Sequence, residues 1–151
     1  MYKEIPHFQP EVFALLHNPN PSNFKKFREG LDQLLQEGVV QGFYARSAHQ
    51  RTPILAAVGP LQFEVVQYRL QSEYGAESRL EQTEWKMLRW IHPATDMDML
   101  SKRTLPTGSV LAINDEGQTV LLFTGEWAVN FFTKKNPEIK LSELPFAMGE
   151  E

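Results

Sequence analysis

The apolar pattern predicts an α+β chain built from two consecutive split βαβ units, each running strand, helix, strand, strand, helix, strand. Three observations predict it. Two stretches with apolar residues at helical spacing each end on a glycine, Gly38 and Gly75. Short runs rich in β-branched and aromatic residues lie around them. The same order of elements then recurs from Trp85 onward, as a repeat of pattern without residue-level identity.

Residues 11–16 (Glu-Val-Phe-Ala-Leu-Leu) form an apolar run suited to a buried strand. Asn18-Pro19-Asn20-Pro21-Ser22 is a dense turn, with Ser22 placed to cap the helix that follows. Phe24, Phe27, Leu31, Leu34 and Leu35 then fall on one helical face, and Gly38 supplies the left-handed stop. Strands are expected at 39–45 and 54–58, joined by the polar stretch from Arg46 to Thr52 as a hairpin. Gly59-Pro60 opens a second helix, because proline has no amide to waste in a first turn. Phe63, Val66, Leu70 and Tyr74 line its face, and 76–83 reads as an edge strand of mixed polarity.

The second half follows suit: a strand at 85–91, a short helix at 94–102, and strands at 109–113 and 118–124 around the turn Asn114-Asp115-Glu116-Gly117. A helix with Trp127, Ala128, Phe131 and Phe132 on one face ends before Asn136-Pro137, and 138–141 makes the last strand. This is the ferredoxin-like order, βαββαβ, given twice. It implies antiparallel sheets with helices packed on one face and right-handed crossovers between parallel neighbours. The expected divisions are 8–83, 84–144 and a frayed tail at 145–151.

Composition narrows the function. The 151 residues suit one compact domain or two small fused modules, and 42% hydrophobic with 23% charged residues is ordinary for a soluble globular chain. The chain has no cysteine, which excludes disulfides and thiolate metal sites and suits a reducing cytoplasm. No apolar run approaches the roughly 20 residues of a membrane-spanning helix. The start, Met1 to Pro6, lacks the basic-then-apolar layout of a signal peptide. A net charge of −4 argues against autonomous binding to duplex DNA. It leaves room for a local basic loop that touches RNA within a larger assembly.

No reactive constellation stands out. Neither a Walker loop nor a dinucleotide fingerprint occurs, and Gly59 alone, between a strand and a helix, reads as structural. His7, His17, His49 and His92 are too dispersed for a metal site. The pairs Asp96/Asp98 and Glu150/Glu151 read as solvated charge, and Ser47, Ser101 and Ser109 lie in no nucleophile elbow. Trp127, Phe131 and Phe132 read as core, with a base-stacking platform as the lesser reading. Lys134 and Lys135 complement a helix dipole. Two basic groups remain as candidate RNA contacts: Lys25, Lys26 and Arg28 on the first helix, and Arg46, His49 and Arg51 at the polar hairpin tip.

Two segments carry a family likeness. Phe8-Gln9-Pro10-Glu11-Val12-Phe13 is similar to the entry into the third domain of the peptide chain release factor 3 family. Val58-Gly59-Pro60-Leu61-Gln62-Phe63-Glu64-Val65-Val66, continued by Arg69-Leu70-Gln71-Ser72-Glu73-Tyr74, resembles the same family's strand–glycine–helix segment. Leu31, Leu34, the stretch Glu37 to Gln41 and the Arg89-Trp90 strand fit as well, whereas Pro60 departs from the usual aliphatic or acidic residue. The related third domain of elongation factor G has a Leu-His pair where this chain has Leu61-Gln62-Phe63, which favours the release factor. Beyond about residue 100 only the order of elements is similar.

The resemblance implies a ribosome-interacting C-terminal domain without catalysis of its own. It implies that GTP and magnesium are held in an N-terminal GTPase domain absent from this sequence. The implied partners are small-subunit protein and rRNA at the ribosomal factor-binding site and the factor's own GTPase and second domains, with no DNA and no membrane. The implied role is GTP-driven dissociation of class I release factors from cytoplasmic ribosomes during termination. The alternative is a ligand-sensing regulatory domain of ferredoxin-like fold, which would need a pocket at the sheet edge or at a dimer interface.

Overall fold

The computed structural model describes residues 10–46 and 52–143. His7, Ser47, His49, Arg51, Glu150, Glu151 and the expected tail at 145–151 lie outside the described residues.

Strand β1 (Val12–His17) leads through a 3-10 turn at Pro21–Asn23 into α1 (Phe24–Glu37). The hairpin β2 (Gln41–Ala45) and β3 (Ile54–Ala57), helix α2 (Leu61–Tyr74) and β4 (Arg79–Gln82) complete the first unit. The second comprises β5 (Met87–Ile91), α3 (Met97–Ser101), β6 (Val110–Ile113), β7 (Thr119–Phe123), α4 (Glu126–Lys135) and β8 (Leu141–Ser142).

The strands form one eight-stranded sheet in the order β4-β1-β3-β2-β6-β7-β5-β8. Each half has its first strand between its fourth and its third, so the ferredoxin-like order holds twice. Every adjacent pair is antiparallel, which corrects the expected parallel neighbours. A helix is about 10 Å wide and strands lie about 4.8 Å apart, so a crossover steps over one strand. β3 fills the gap between β1 and β2 in this way, as β7 does between β5 and β6. The halves meet edge to edge at β2 and β6, in the register Tyr44↔Ile113 and Ala45↔Ala112. The Arg46 amide extends that seam by donating to the Leu111 carbonyl at 2.9 Å.

Strand side chains alternate between two destinations. In the first half Ala14, Leu16, Leu55 and Ala57 pack under α1 and α2. In the second, Ile91, Leu121 and Phe123 pack under α3 and α4, with Leu100, Ala128, Val129 and Phe132 from the helices. The opposite faces of the two halves share a third cluster of Phe13, Phe43, Ile54, Ala56, Leu88, Trp90, Ala112, Val120 and Leu122. Phe43 on β2 and Trp90 on β5 are three ladders apart, roughly 14 Å across a flat sheet. Their ring centroids are 5.7 Å apart. The sheet therefore curls at the β2–β6 seam and brings its helix-free faces together, leaving the helices outside.

Local chemistry explains most boundaries. Gly38 and Gly75 end α1 and α2 with φ of 80° and 65° in the left-handed region, as their positions predict. The first cap differs from expectation. Pro21 starts the helical path early, so Asn20 is the cap: its Oδ1 accepts from the Ser22 amide at 3.1 Å and the Ser22 hydroxyl at 2.6 Å. Asp96 caps α3 by accepting from the amides of Asp98 and Met99. The last strand begins at Leu141 rather than 138, because the chain turns after Asn136, whose carbonyl accepts from the Ile139 amide at 3.0 Å.

Candidate nucleic-acid interface

α1 lies on the outer side of the first half, with Phe27, Gly30, Leu31 and Leu34 buried toward the sheet. That burial turns Lys25 and Lys26 to the surface in the helix's first turn, and both are exposed. The first turn contains no acidic residue. Two cations beside the positive end of a helix are electrostatically unfavourable, and their presence there is a cost to stability. Phe24, expected in the core, is 62% exposed beside them. It occupies the first helical position, a full turn before the face that meets the sheet.

Arg28 is less free. Its guanidinium lies 5.6 Å from the centroid of the Tyr44 ring and its Nε is 3.4 Å from Asp32 Oδ1. Arg46 is exposed one residue beyond β2, two positions on from Tyr44, so the strand's alternation puts both on the α1 side. The structure thus sets Arg28 on Tyr44, puts Arg46 on the same side of the sheet, and leaves Lys25 and Lys26 further along the same helix. His49 and Arg51 lie outside the described residues.

The other candidates resolve into structure. His17 Nε2 is 2.7 Å from Glu81 Oε1 across the β1–β4 ladder, and His92 Nδ1 accepts from the Ala94 amide at 3.0 Å. Among the described residues, no group of three His, Cys, Asp or Glu could hold a metal ion. No described helix is long and apolar enough to cross a membrane. A groove of about 380 Å³ lies beside the sheet edge between β1, β4 and the start of α2, with Phe63, Leu80, Trp85 and Lys86 in its walls.

Two exposed apolar stripes were not legible as such in the sequence. Leu61, Val65 and Tyr68 on α2 are 64%, 37% and 72% exposed, and Val58 beside them is 47% exposed. Helix α2 is therefore apolar on two sides, with Phe63, Val66 and Leu70 on the buried one. The spacing of Leu61, Val65 and Tyr68 at i, i+4 and i+7 was the available signal. On α4, Trp127 and Phe131 are 57% and 46% exposed, which corrects their assignment to the core. Four apolar residues at 127, 128, 131 and 132 span more of the helix than one sheet contact covers. Val129 joins Ala128 and Phe132 in the core and rotates the buried face away from Trp127.

Two of the described residues that carried the family likeness, Gln62 and Arg69, tie parts of the first half together. Gln62 Oε1, in the first turn of α2, accepts from the Gly59 amide at 3.2 Å and so ties the strand–helix turn to that helix. Arg69 spans α2 to α1, with Nη1 at 2.6 Å from Glu37 Oε1 and Nε at 2.8 Å from Glu73 Oε2. Hydrogen bonds to Glu37 and then Glu73 raise the pKa of that guanidinium, tightening its hold on the proton.

The comparisons agree with this reading. Residues 2–133 match the family model described as class II release factor RF3, C-terminal domain. The chain is 46% identical over 151 residues to the peptide chain release factor 3 of Synechococcus elongatus, covering 99% of this chain and 27% of that protein. It is 43% identical over 152 residues to that of Trichodesmium erythraeum, covering 99% and 28%. The Acaryochloris marina protein of the same name is 43% identical, with 99% and 27% covered. The chain thus spans little more than a quarter of these relatives' length. It belongs to the family of class II release factor RF3 C-terminal domains.

Proposed function

We propose that the chain is the ribosome-interacting part of a peptide chain release factor 3, acting in translation termination in the cytoplasm. In the intact factor, GTP and magnesium would be held by an N-terminal GTPase domain, and the cycle of hydrolysis would promote departure of class I release factors from the ribosome. This chain would supply a stiff brace against small-subunit protein and rRNA at the factor-binding site. The family match over residues 2–133 carries the reading. A continuous sheet with helices outside suits a part that works through different contacts in two states of an assembly. Residues 8–83 and 84–144 would form its two modules, with 145–151 as a tail.

Lys25, Lys26, Arg28 and Arg46 are the surface we assign to rRNA, together with His49 and Arg51 of the hairpin tip. Phosphate contacts would give Lys25 and Lys26 a use at a helix end where the dipole disfavours them. The experiment is co-sedimentation of the chain with 70S ribosomes. Lys25→Glu/Lys26→Glu is expected to weaken binding about 10-fold or more at low salt. It should also raise the melting midpoint by roughly 2 °C, since acids suit a first turn. Unchanged ribosome binding in this variant would remove the assignment.

The neutral stripe of Leu61, Val65 and Tyr68 has no cation and suits a protein surface, which we take to be the GTPase or second domain of the same factor. Leu61→Ser/Tyr68→Ser should leave the chain folded and weaken its association, when added in trans, with those domains of a relative by about 10-fold. Retention of full affinity would exclude the stripe as their docking face. The groove beside β4 gives the ligand-sensing alternative a foothold at the sheet edge. Thermal-shift measurements with amino acids and nucleotides decide it, a reproducible stabilisation favouring the sensor. GTP turnover by the pure chain would contradict placing hydrolysis elsewhere.

A further inference from the structure

Helix α4 carries an aromatic and basic stripe that its packing does not use. At 100° per residue, Trp127, Phe131, Lys134 and Lys135 fall within an arc of about 100° on one flank. All four are exposed. Ala128, Val129 and Phe132 bury the adjoining flank, and Phe132 is anchored on Phe123 at a ring-centroid distance of 6.0 Å. The stripe is therefore held by a rigid, packed helix. The indole of Trp127 lies back over Gly125, where an added Cβ would come within 3.0 Å of its Cδ1. The Lys135 ammonium sits 5.5 Å from the Phe131 ring centroid. Glu126, at the far end and off the stripe, is the one acid on the helix.

The chemistry differs from that of the α2 stripe. There the exposed residues Val58, Leu61, Val65 and Tyr68 are mainly aliphatic and carry no charge. On α4, two exposed aromatic rings share a flank with two lysines, one of whose ammonium groups lies near the Phe131 ring. Aromatic faces accept bases without regard to sequence, and lysines pair with the phosphates between them. A large aromatic pair at i and i+4 normally fills a core, so its exposure points to a use outside the fold.

We propose that this face of α4 binds unpaired RNA, with a base stacked on Trp127 or Phe131 and the neighbouring phosphates held by Lys134 and Lys135. The proposal deepens the ribosome-facing reading and places a second RNA contact on the second half of the chain, apart from the α1 surface.

Fluorescence anisotropy of a labelled 16-nucleotide single-stranded RNA of mixed sequence tests it directly. The chain is expected to bind with a Kd of about 10–100 µM at 50 mM salt. Trp127→Ala/Phe131→Ala should weaken that at least 10-fold, whereas Trp127→Tyr keeps most of the affinity because a stacking face remains. Lys134→Gln/Lys135→Gln should flatten the plot of log affinity against log salt by about 1.4, or 0.7 for each phosphate contact. Circular dichroism melts check that these surface variants stay folded. Oligonucleotide binding that is absent, or indifferent to the aromatic pair, overturns the proposal. So does a salt-insensitive loss of binding to purified small-subunit proteins alone, which would make the occupant a protein. The two readings fail separately. A chain that binds the oligonucleotide through α4 but never sediments with ribosomes defeats the ribosomal role and spares the RNA site. Ribosome binding lost with Lys25 and Lys26 but indifferent to Trp127 and Phe131, with no oligonucleotide bound, does the reverse.

Discussion

Replacing Trp90 with alanine is expected to lower the stability of the chain by about 3–5 kcal/mol. Trp90 is 5% exposed and Phe43 1% exposed, and their rings meet edge-on at 61°. They come from opposite halves, and among the described residues the cluster they centre draws on both, whereas the other two clusters each stay within one half. The large cost has two sources: the lost transfer of the indole from water, and a cavity between two sheet faces that cannot close without uncurling the β2–β6 seam. Urea unfolding followed by circular dichroism should show one transition for the parent chain and a lower midpoint for Trp90→Ala. A double-mutant cycle with Phe43→Ala should leave a coupling of about 1 kcal/mol, typical of an aromatic pair. Two separated transitions in the parent chain, or a loss below about 1 kcal/mol in the mutant, would mean that the halves fold independently and that the shared cluster is incidental.

The sequence carried the elements well and their assembly poorly, for identifiable reasons. Helix ends were legible because Gly38 and Gly75 sit where a left-handed residue must, and strands because Ile54 to Ala57 or Val110 to Ile113 have few other uses. Local pattern carries no register, so nothing in Tyr44 or Ile113 announced that β2 and β6 would pair. Strands buried on both faces should have warned of a second layer: Leu121 and Leu122 are both fully buried, and a sheet with helices on one face needs only alternate residues inside. The basic surface was half legible. Lys25 and Lys26 could be placed by helical phase, but the stacking of Arg28 on Tyr44 depends on contacts between α1 and β2 that no spacing encodes. On α4 the pattern misled, because Trp127, Phe131 and Phe132 are equally apolar in sequence and only the sheet's position decides which are covered.

Gly30→Val should cost about 3 kcal/mol, and Gly30→Ala about 1 kcal/mol, although helix propensity alone predicts a gain of about 1 kcal/mol for alanine. Gly30 is buried in the middle of α1, where it faces α2. A Cβ there would come within 2.7 Å of Leu70 Cδ2 and Tyr74 Cδ2 and 2.8 Å of Tyr74 Cγ, closer than real Cβ atoms approach anything. Leu70 is fully buried in the first core cluster and has nowhere to turn. Tyr74 is half-buried at the last position of α2, so its ring can shift at some cost. The missing side chain thus lets the two helices approach closely, which in turn lets Arg69 on α2 reach Glu37 at the end of α1. If contact with Tyr74 is the source of strain, Tyr74→Leu should recover much of what Gly30→Ala loses, and the pair should fall short of additivity. A chain made more stable by Gly30→Ala would show that propensity outweighs the helix contact and that α1 and α2 have room to separate.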